Sequence, residues 1–252
     1  MSVRAQIRDD FIRRLFAVAI SVGFAATMTK MEWVENGSFP NKPEWEQLSI
    51  LFTGLVATVL SWDGYLVSIK SKPLNGFGRF SIDILLVFIY MFFLISSKQP
   101  GFWLPTLAVV FVLYVIWDFL TVREHMGSYN ASSVPADADD TYRATTCGVL
   151  SVYVDGFLGR PNVGRGPIIT LSWALYFVVL AIMNLMTAEW QVFVTCLFAI
   201  PGLILYRWDK AAKPTGASVA GFPMWRRTLT ILLLLGLAAL YFYMFPITPA
   251  SK

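Results

Sequence analysis

The sequence predicts an all-α polytopic membrane protein of about seven transmembrane helices, arranged as three helical hairpins closed by a C-terminal helix. Three observations predict it. Hydrophobic residues make up 56% of the 252 positions and charged ones 14%, against about 45 to 50% and about 25% in an ordinary soluble domain. Apolar runs of about 20 residues recur, the length at which a helix crosses hydrocarbon with its backbone bonded internally. The dipeptide Trp-Asp closes three of those runs, as Trp62-Asp63, Trp117-Asp118 and Trp208-Asp209, where chance pairing gives about 0.4.

The first span, 11–29, follows Arg4, Arg8, Arg13 and Arg14. A basic start before an apolar run also opens a secretory signal, but no small-residue cleavage site follows and the segment is expected to stay. Ala17, Ser21 and Ala25 place small residues on one face, where a helix of the same or another subunit can approach closely. The second span, 48–69, comes after a connection with Glu32, Glu35, Glu44 and Glu46 against Lys30 and Lys42. Spans three and four, 80–97 and 102–122, and spans five and six, 168–187 and 190–208, are joined by connections of only a few residues. Such pairs must be antiparallel neighbours. Spans one and two form the remaining hairpin, and 228–245 closes the domain.

Cations alternate with the connections. Lys70, Lys72 and Arg79 follow span two, Arg123, Arg143, Arg160 and Arg165 follow span four, and Arg207, Lys210, Lys213, Arg226 and Arg227 follow span six. With the four N-terminal arginines they leave only Lys30, Lys42, Lys98 and Lys252 for the opposite side. The positive-inside bias therefore predicts a cytoplasmic N-terminus and an external C-terminus in a bacterial inner (plasma) membrane.

The one sizeable segment outside the bilayer is the cytoplasmic connection 123–167. Its stretch 127–140 is small, polar and acidic and reads as mobile. The stretch 146–158 is too short to span, and its Val149-Leu150-Ser151-Val152-Tyr153-Val154 run reads as an ordered surface loop, with an interfacial segment, a small hairpin or a strand offered to a protein partner as the alternatives.

Tryptophan at a membrane boundary follows from the indole's preference for the headgroup region. An aspartate at a helix C-terminus instead meets the negative end of the macrodipole, at a cost of up to about 1 kcal/mol. Neighbouring cations can offset that cost, Arg207 and Lys210 for Asp209, Lys70 for Asp63 and Arg123 for Asp118. The alternative is an acidic ring, gathered by oligomerisation, that draws cations to a mouth.

Asp83 is the one acid well inside a predicted span, about 6 Å along the axis from Arg79. Such acids face protein or water. Asp83, Tyr90 and Ser97 lie on one helical stripe and form the candidate ion pathway, against which stands a local pair of Asp83 with Arg79. Ser21, Thr58, Ser172, Asn184 and Thr195 add polar groups between helices. Pro201-Gly202 interrupts span six, where a kink would free a carbonyl toward a cavity. Pro105 falls in the first turn of span four, where proline is tolerated.

Several functions are excluded by what is missing. Neither Gly-x-Ser-x-Gly nor His-Glu-x-x-His occurs, and there is no phosphate-binding Gly-x-x-x-x-Gly-Lys-Ser/Thr. The last span lacks the lysine of a retinal Schiff base. His125 is the only histidine, so bis-histidine haem cannot form in one subunit, and Cys147 and Cys196 suggest neither a disulfide framework nor a metal site. The expectation is a non-enzymatic protein without cofactor or nucleic-acid partner. Its lipid-embedded helices assemble into a homo-oligomeric pore for ions or small solutes. A non-conducting anchor or sensor for a partner protein is the alternative, and a secondary transporter the second alternative.

Overall fold

The structure, a computed structural model, describes residues 3–29, 31–37, 39–129, 145–160, 163–186, 192–211 and 224–244. Its α-helices are α1 (Val3–Met28), α2 (Glu32–Asn36), α3 (Lys42–Ser71), α4 (Phe77–Ile95), α5 (Pro100–Glu124), α6 (Thr146–Phe157), α7 (Gly166–Leu185), α8 (Val192–Ala211) and α9 (Met224–Met244). Seven of them, all but α2 and α6, are long and apolar enough to cross a membrane, and no strand occurs among the described residues. The chain is therefore an all-α polytopic membrane protein. Each predicted span falls on one of these helices; positions 187, 190, 191 and 245, at span ends, lie outside the described residues.

Local chemistry moves several boundaries. α3 starts before the predicted 48 because Asn41 caps it: Asn41 Oδ1 accepts from the Glu44 N–H at 3.0 Å, and Glu44 accepts from the Asn41 N–H at 2.8 Å. That reciprocal box, with Pro43 in the first turn, fixes a helix start that hydropathy cannot register. α5 starts at Pro100, which puts Pro105 in its second turn and not its first.

The helices alternate in direction. The N-terminal ends of α1, α4, α7 and α9 meet the C-terminal ends of α3, α5 and α8, as the contacts of Asp9 with Tyr65, Arg79 with Glu124, Thr170 with Asp118 and Asp209 with Arg227 require. We call this the basic end of the bundle.

Packing is less sequential than three hairpins. α4 with α5 and α7 with α8 do pack as neighbours, but α1 lies chiefly along α4 and α3 along α8. The reason is shape. α1 turns Ala19, Gly23 and Thr27 inward, and Leu94 of α4 fills the space over Gly23, where a Cβ would meet it at 3.3 Å. Thr27 Oγ1 adds a hydrogen bond to the Leu94 carbonyl at 3.0 Å. Ala17, Ser21 and Ala25 lie on the opposite, exposed face of α1, so that small-residue stripe does not pack within the subunit.

At the centre, α5 lies against α7 through stacked Phe111 and Phe177, centroids 4.1 Å apart. α8 continues through Pro201, and Gly202 beside it lets Tyr176 approach so closely that a Cβ would stand 2.7 Å from the ring. The Tyr176 hydroxyl donates to the Phe198 carbonyl, three residues before the proline, at 2.8 Å.

The polar connection also departs from the sequence reading. Thr146–Phe157 is a helix, not a loop, hairpin or strand; its N-cap Thr145 accepts from Gly148 N–H. Val149 and Val152, three residues apart, pack on Val122, Met126 and Tyr129, and this tertiary contact overrides the β-propensity of the valine-rich run. Met126–Tyr129 is an ordered 3-10 turn with Tyr129 buried. The rest of the stretch read as mobile, 130–140, lies outside the described residues.

Candidate functional site

At the basic end the bundle encloses a cavity of about 250 Å³. It is walled by α1, α3, α4, α5 and α8, with Gly166 at the start of α7. Its depth follows from helix geometry: Ser61 and Tyr114 on its wall lie ten residues inside the ends of α3 and α5, or about 15 Å at 1.5 Å per residue. The floor of the cavity lies at that depth below the helix ends. There the hydroxyls of Ser61, Tyr114 and Tyr90 form a chain, Tyr90 to Tyr114 at 2.5 Å. Beyond them the path is filled by Phe111, stacked on Phe177, and by Phe93 stacked on Trp103.

The three Trp-Asp pairs gather at this end in three different environments. Trp62 lies between Phe16 and Tyr65, centroids 4.5 and 5.7 Å away, and lines the cavity. Trp117 is buried beneath Arg79, whose guanidinium stands 4.6 Å from the ring centroid, while Trp208 is exposed. The aspartates are all paired, but across helices and not with the predicted partners. Asp63 takes Arg207, at 2.8 Å from its Nε; Asp118 takes Lys210 at 2.9 Å; Asp209 takes Arg227, at 3.0 Å from Nη2. Adjacent helical positions point about 100° apart, so Arg207 and Lys210 cannot both turn to Asp209 and reach neighbouring helices instead. The three carboxylates thus serve as interhelical ties in the single chain.

Two of these ties are networks. Lys210 donates to Asp118, to Thr170 at 2.8 Å and to the Tyr206 hydroxyl at 3.2 Å, and Thr170 donates in turn to Asp118. Asp209, 1% exposed, also accepts the Trp173 indole N–H at 3.4 Å.

Of the predicted pathway residues, Asp83 and Tyr90 line the cavity and Ser97 does not. Ser97 is buried in the 3-10 turn at the opposite end, its Oγ without a hydrogen-bond partner among the described residues. Asp83 does not pair with Arg79. The guanidinium turns away to Glu124 at 3.4 Å and to the carbonyls of Pro73 and Lys72 at 3.0 and 3.2 Å. Asp83 Oδ2 and the indole N–H of Trp117 are both buried and make no hydrogen bond of good geometry, although the indole lies close enough to the carboxylate to interact with it.

The mouth holds a further group the sequence did not single out. Lys72, just past α3, places its ammonium 3.7 Å from the Tyr129 ring centroid. Burial pushes its pKa down to about 8, with Asp118 acting in the opposite direction. Burial likewise lowers His125, whose Nε2 stands 3.2 Å from the Pro73 carbonyl, and raises the phenols of Tyr129 and Tyr153. Neither Lys72 nor Tyr114 stands out in the sequence, because a cation at a basic boundary and a tyrosine in an apolar run look like anchors and core. No cluster of three or more His, Cys, Asp or Glu able to hold a metal occurs among the described residues.

No family model matches the chain, and neither a curated protein nor a solved structure is significantly similar to it.

Proposed function

We propose that this chain is a membrane carrier that loads a small solute at its basic end into a cavity about 15 Å deep. The observation that supports the reading is the depth of the cavity together with its floor: hydroxyls of Ser61, Tyr90 and Tyr114 about halfway through the bundle, backed by close-packed aromatic rings. A pore through one chain needs water on both sides of that floor, and an anchor needs no polar cavity. A carrier needs a site reached from one side at a time. By the distribution of Lys and Arg, the basic end faces the cytoplasm, so the cavity is the inward-facing state.

Reconstituted liposomes test the reading. Preloaded vesicles screened with a panel of radiolabelled amino acids, amines and carboxylates should show saturable counterflow of at least one class, with no unitary currents in planar bilayers. Filling the cavity with Tyr114→Trp should abolish counterflow. Ohmic currents without saturation would instead establish a pore, and neither flux nor current would leave the anchor or sensor.

A further inference from the structure

Resting on that carrier reading, we infer that the cavity recognises an amino-acid-sized solute bearing both a primary ammonium and an anionic group, with Asp83 accepting the ammonium and Lys72 meeting the anion. Two charged side chains border the cavity without a salt bridge among the described residues. Asp83 is 5% exposed, forms no salt bridge among the described residues, and leaves Oδ2 without a hydrogen bond. Arg79, one turn away on α4, is committed to Glu124 and two main-chain carbonyls. Lys72 rests on the Tyr129 ring and forms no salt bridge among the described residues; the acid that acts on it, Asp118, is held by Lys210 and Thr170.

The remaining cations of the wall are occupied. Lys210 directs its three ammonium protons at Asp118, Thr170 and Tyr206, and Arg207 grips Asp63 through two nitrogens. A ligand therefore meets one available acid and one available base. A water can fill the acceptor site on Asp83 but cannot neutralise it, whereas an ammonium does both. The walls agree. Trp62, Tyr65 and Trp117 line the same cavity with aromatic rings, which suit an ammonium and an apolar side chain alike. A volume of about 250 Å³ bounds the solute at roughly the size of an aromatic amino acid. A free amino acid carries this pair of charges, and so does an ethanolamine phosphate headgroup.

Calorimetric titration of the purified chain in detergent tests the assignment with L-phenylalanine, with phenethylamine and 3-phenylpropionate as its single-charge analogues, and with dihexanoylphosphatidylethanolamine. At least one of the two zwitterions should bind about tenfold or more tighter than either analogue, each lost charge contact being worth at least that factor. Which of them binds identifies a free solute or a lipid headgroup. Asp83→Asn should reduce L-phenylalanine to the affinity of 3-phenylpropionate, and Lys72→Gln to that of phenethylamine. Zwitterions binding no tighter than the analogues, or not at all, overturn the inference; so does full zwitterion affinity in folded Asp83→Asn. If a variant does not fold, the ligand series on the wild type decides alone. Tight zwitterion binding without vesicle uptake would refute the carrier and leave this site standing, and saturable uptake of another solute would do the reverse.

Discussion

Replacing Asp209 by alanine should destabilise the bundle far more than the same change at Asp63, although both close a Trp-Asp pair. Asp209→Ala leaves the Arg227 guanidinium, 2% exposed, without its bidentate partner. Removing one member of a buried ion pair costs about 3 to 5 kcal/mol, and the orphaned Trp173 N–H adds about 1 kcal/mol. The Asp63 side chain is 61% exposed, so its tie to Arg207 is worth about 0 to 1 kcal/mol. The consequence concentrates on α9, whose principal neighbour is α7 alone and whose Leu229, Leu232, Leu233 and Leu237 face outward. Unfolding of the purified protein by denaturing detergent, followed by circular dichroism, measures both variants. The double variant Asp209→Leu/Arg227→Met should recover most of the loss, because an apolar pair of similar volume replaces a buried ion pair at little cost. Equal losses for Asp209→Ala and Asp63→Ala, or a double variant no better than the single one, would refute the argument.

Gly202→Ala should cost about 1 to 3 kcal/mol in the same assay, since its Cβ would stand 2.7 Å from the Tyr176 ring and 3.2 Å from Phe177, both fully buried; undiminished stability would show that α7 and α8 are looser than described. Lys72 sets a pH dependence. Its folded pKa of about 8 lies below the ordinary 10.5, so between those values the unfolded chain holds more protons and stability should rise with pH. Lys72→Gln should flatten that slope, and a slope unchanged by the substitution would acquit Lys72. Asp83→Leu should raise stability by removing an unpaired buried carboxylate while abolishing flux; a loss of stability would mean that Asp83 has a structural partner. Reporters at 252 and within 137–140 should report opposite sides of the membrane, and agreement between them would contradict seven crossings.

The seven spans were legible because hydrocarbon admits few alternatives: an apolar run of sufficient length has to be a helix. The convergence of basic helix ends was equally legible from alternate connections. What hydropathy could not convey was which helix lies beside which. Gly23 and Gly54 create hollows that Leu94 fills at 3.3 and 3.1 Å, and these set α1 and α3 against α4 by shape, which no periodicity encodes. Asp83 stood out because a charge inside an apolar run is conspicuous. Its freedom from Arg79 was hidden, since that depends on Glu124, 45 residues further on. The repeated Trp-Asp pair pointed to the right end of the molecule but not to the right partners: equivalent places in sequence became a cavity wall at Trp62, a buried ring at Trp117 and an exposed one at Trp208.

The division of charge at the basic end separates what holds the bundle from what its cavity can bind. Asp63, Asp118 and Asp209 sit on α3, α5 and α8 and reach cations on α8 and α9, so each tie joins helices that hydrocarbon packing alone would leave free to slide. Charges used in this way are matched and hydrogen-bonded. Asp83 and Lys72 form no salt bridge among the described residues, and a buried carboxylate without one is costly. A solute that neutralises both charges recovers the desolvation cost on binding, and so binds more tightly than the same solute would in a satisfied pocket.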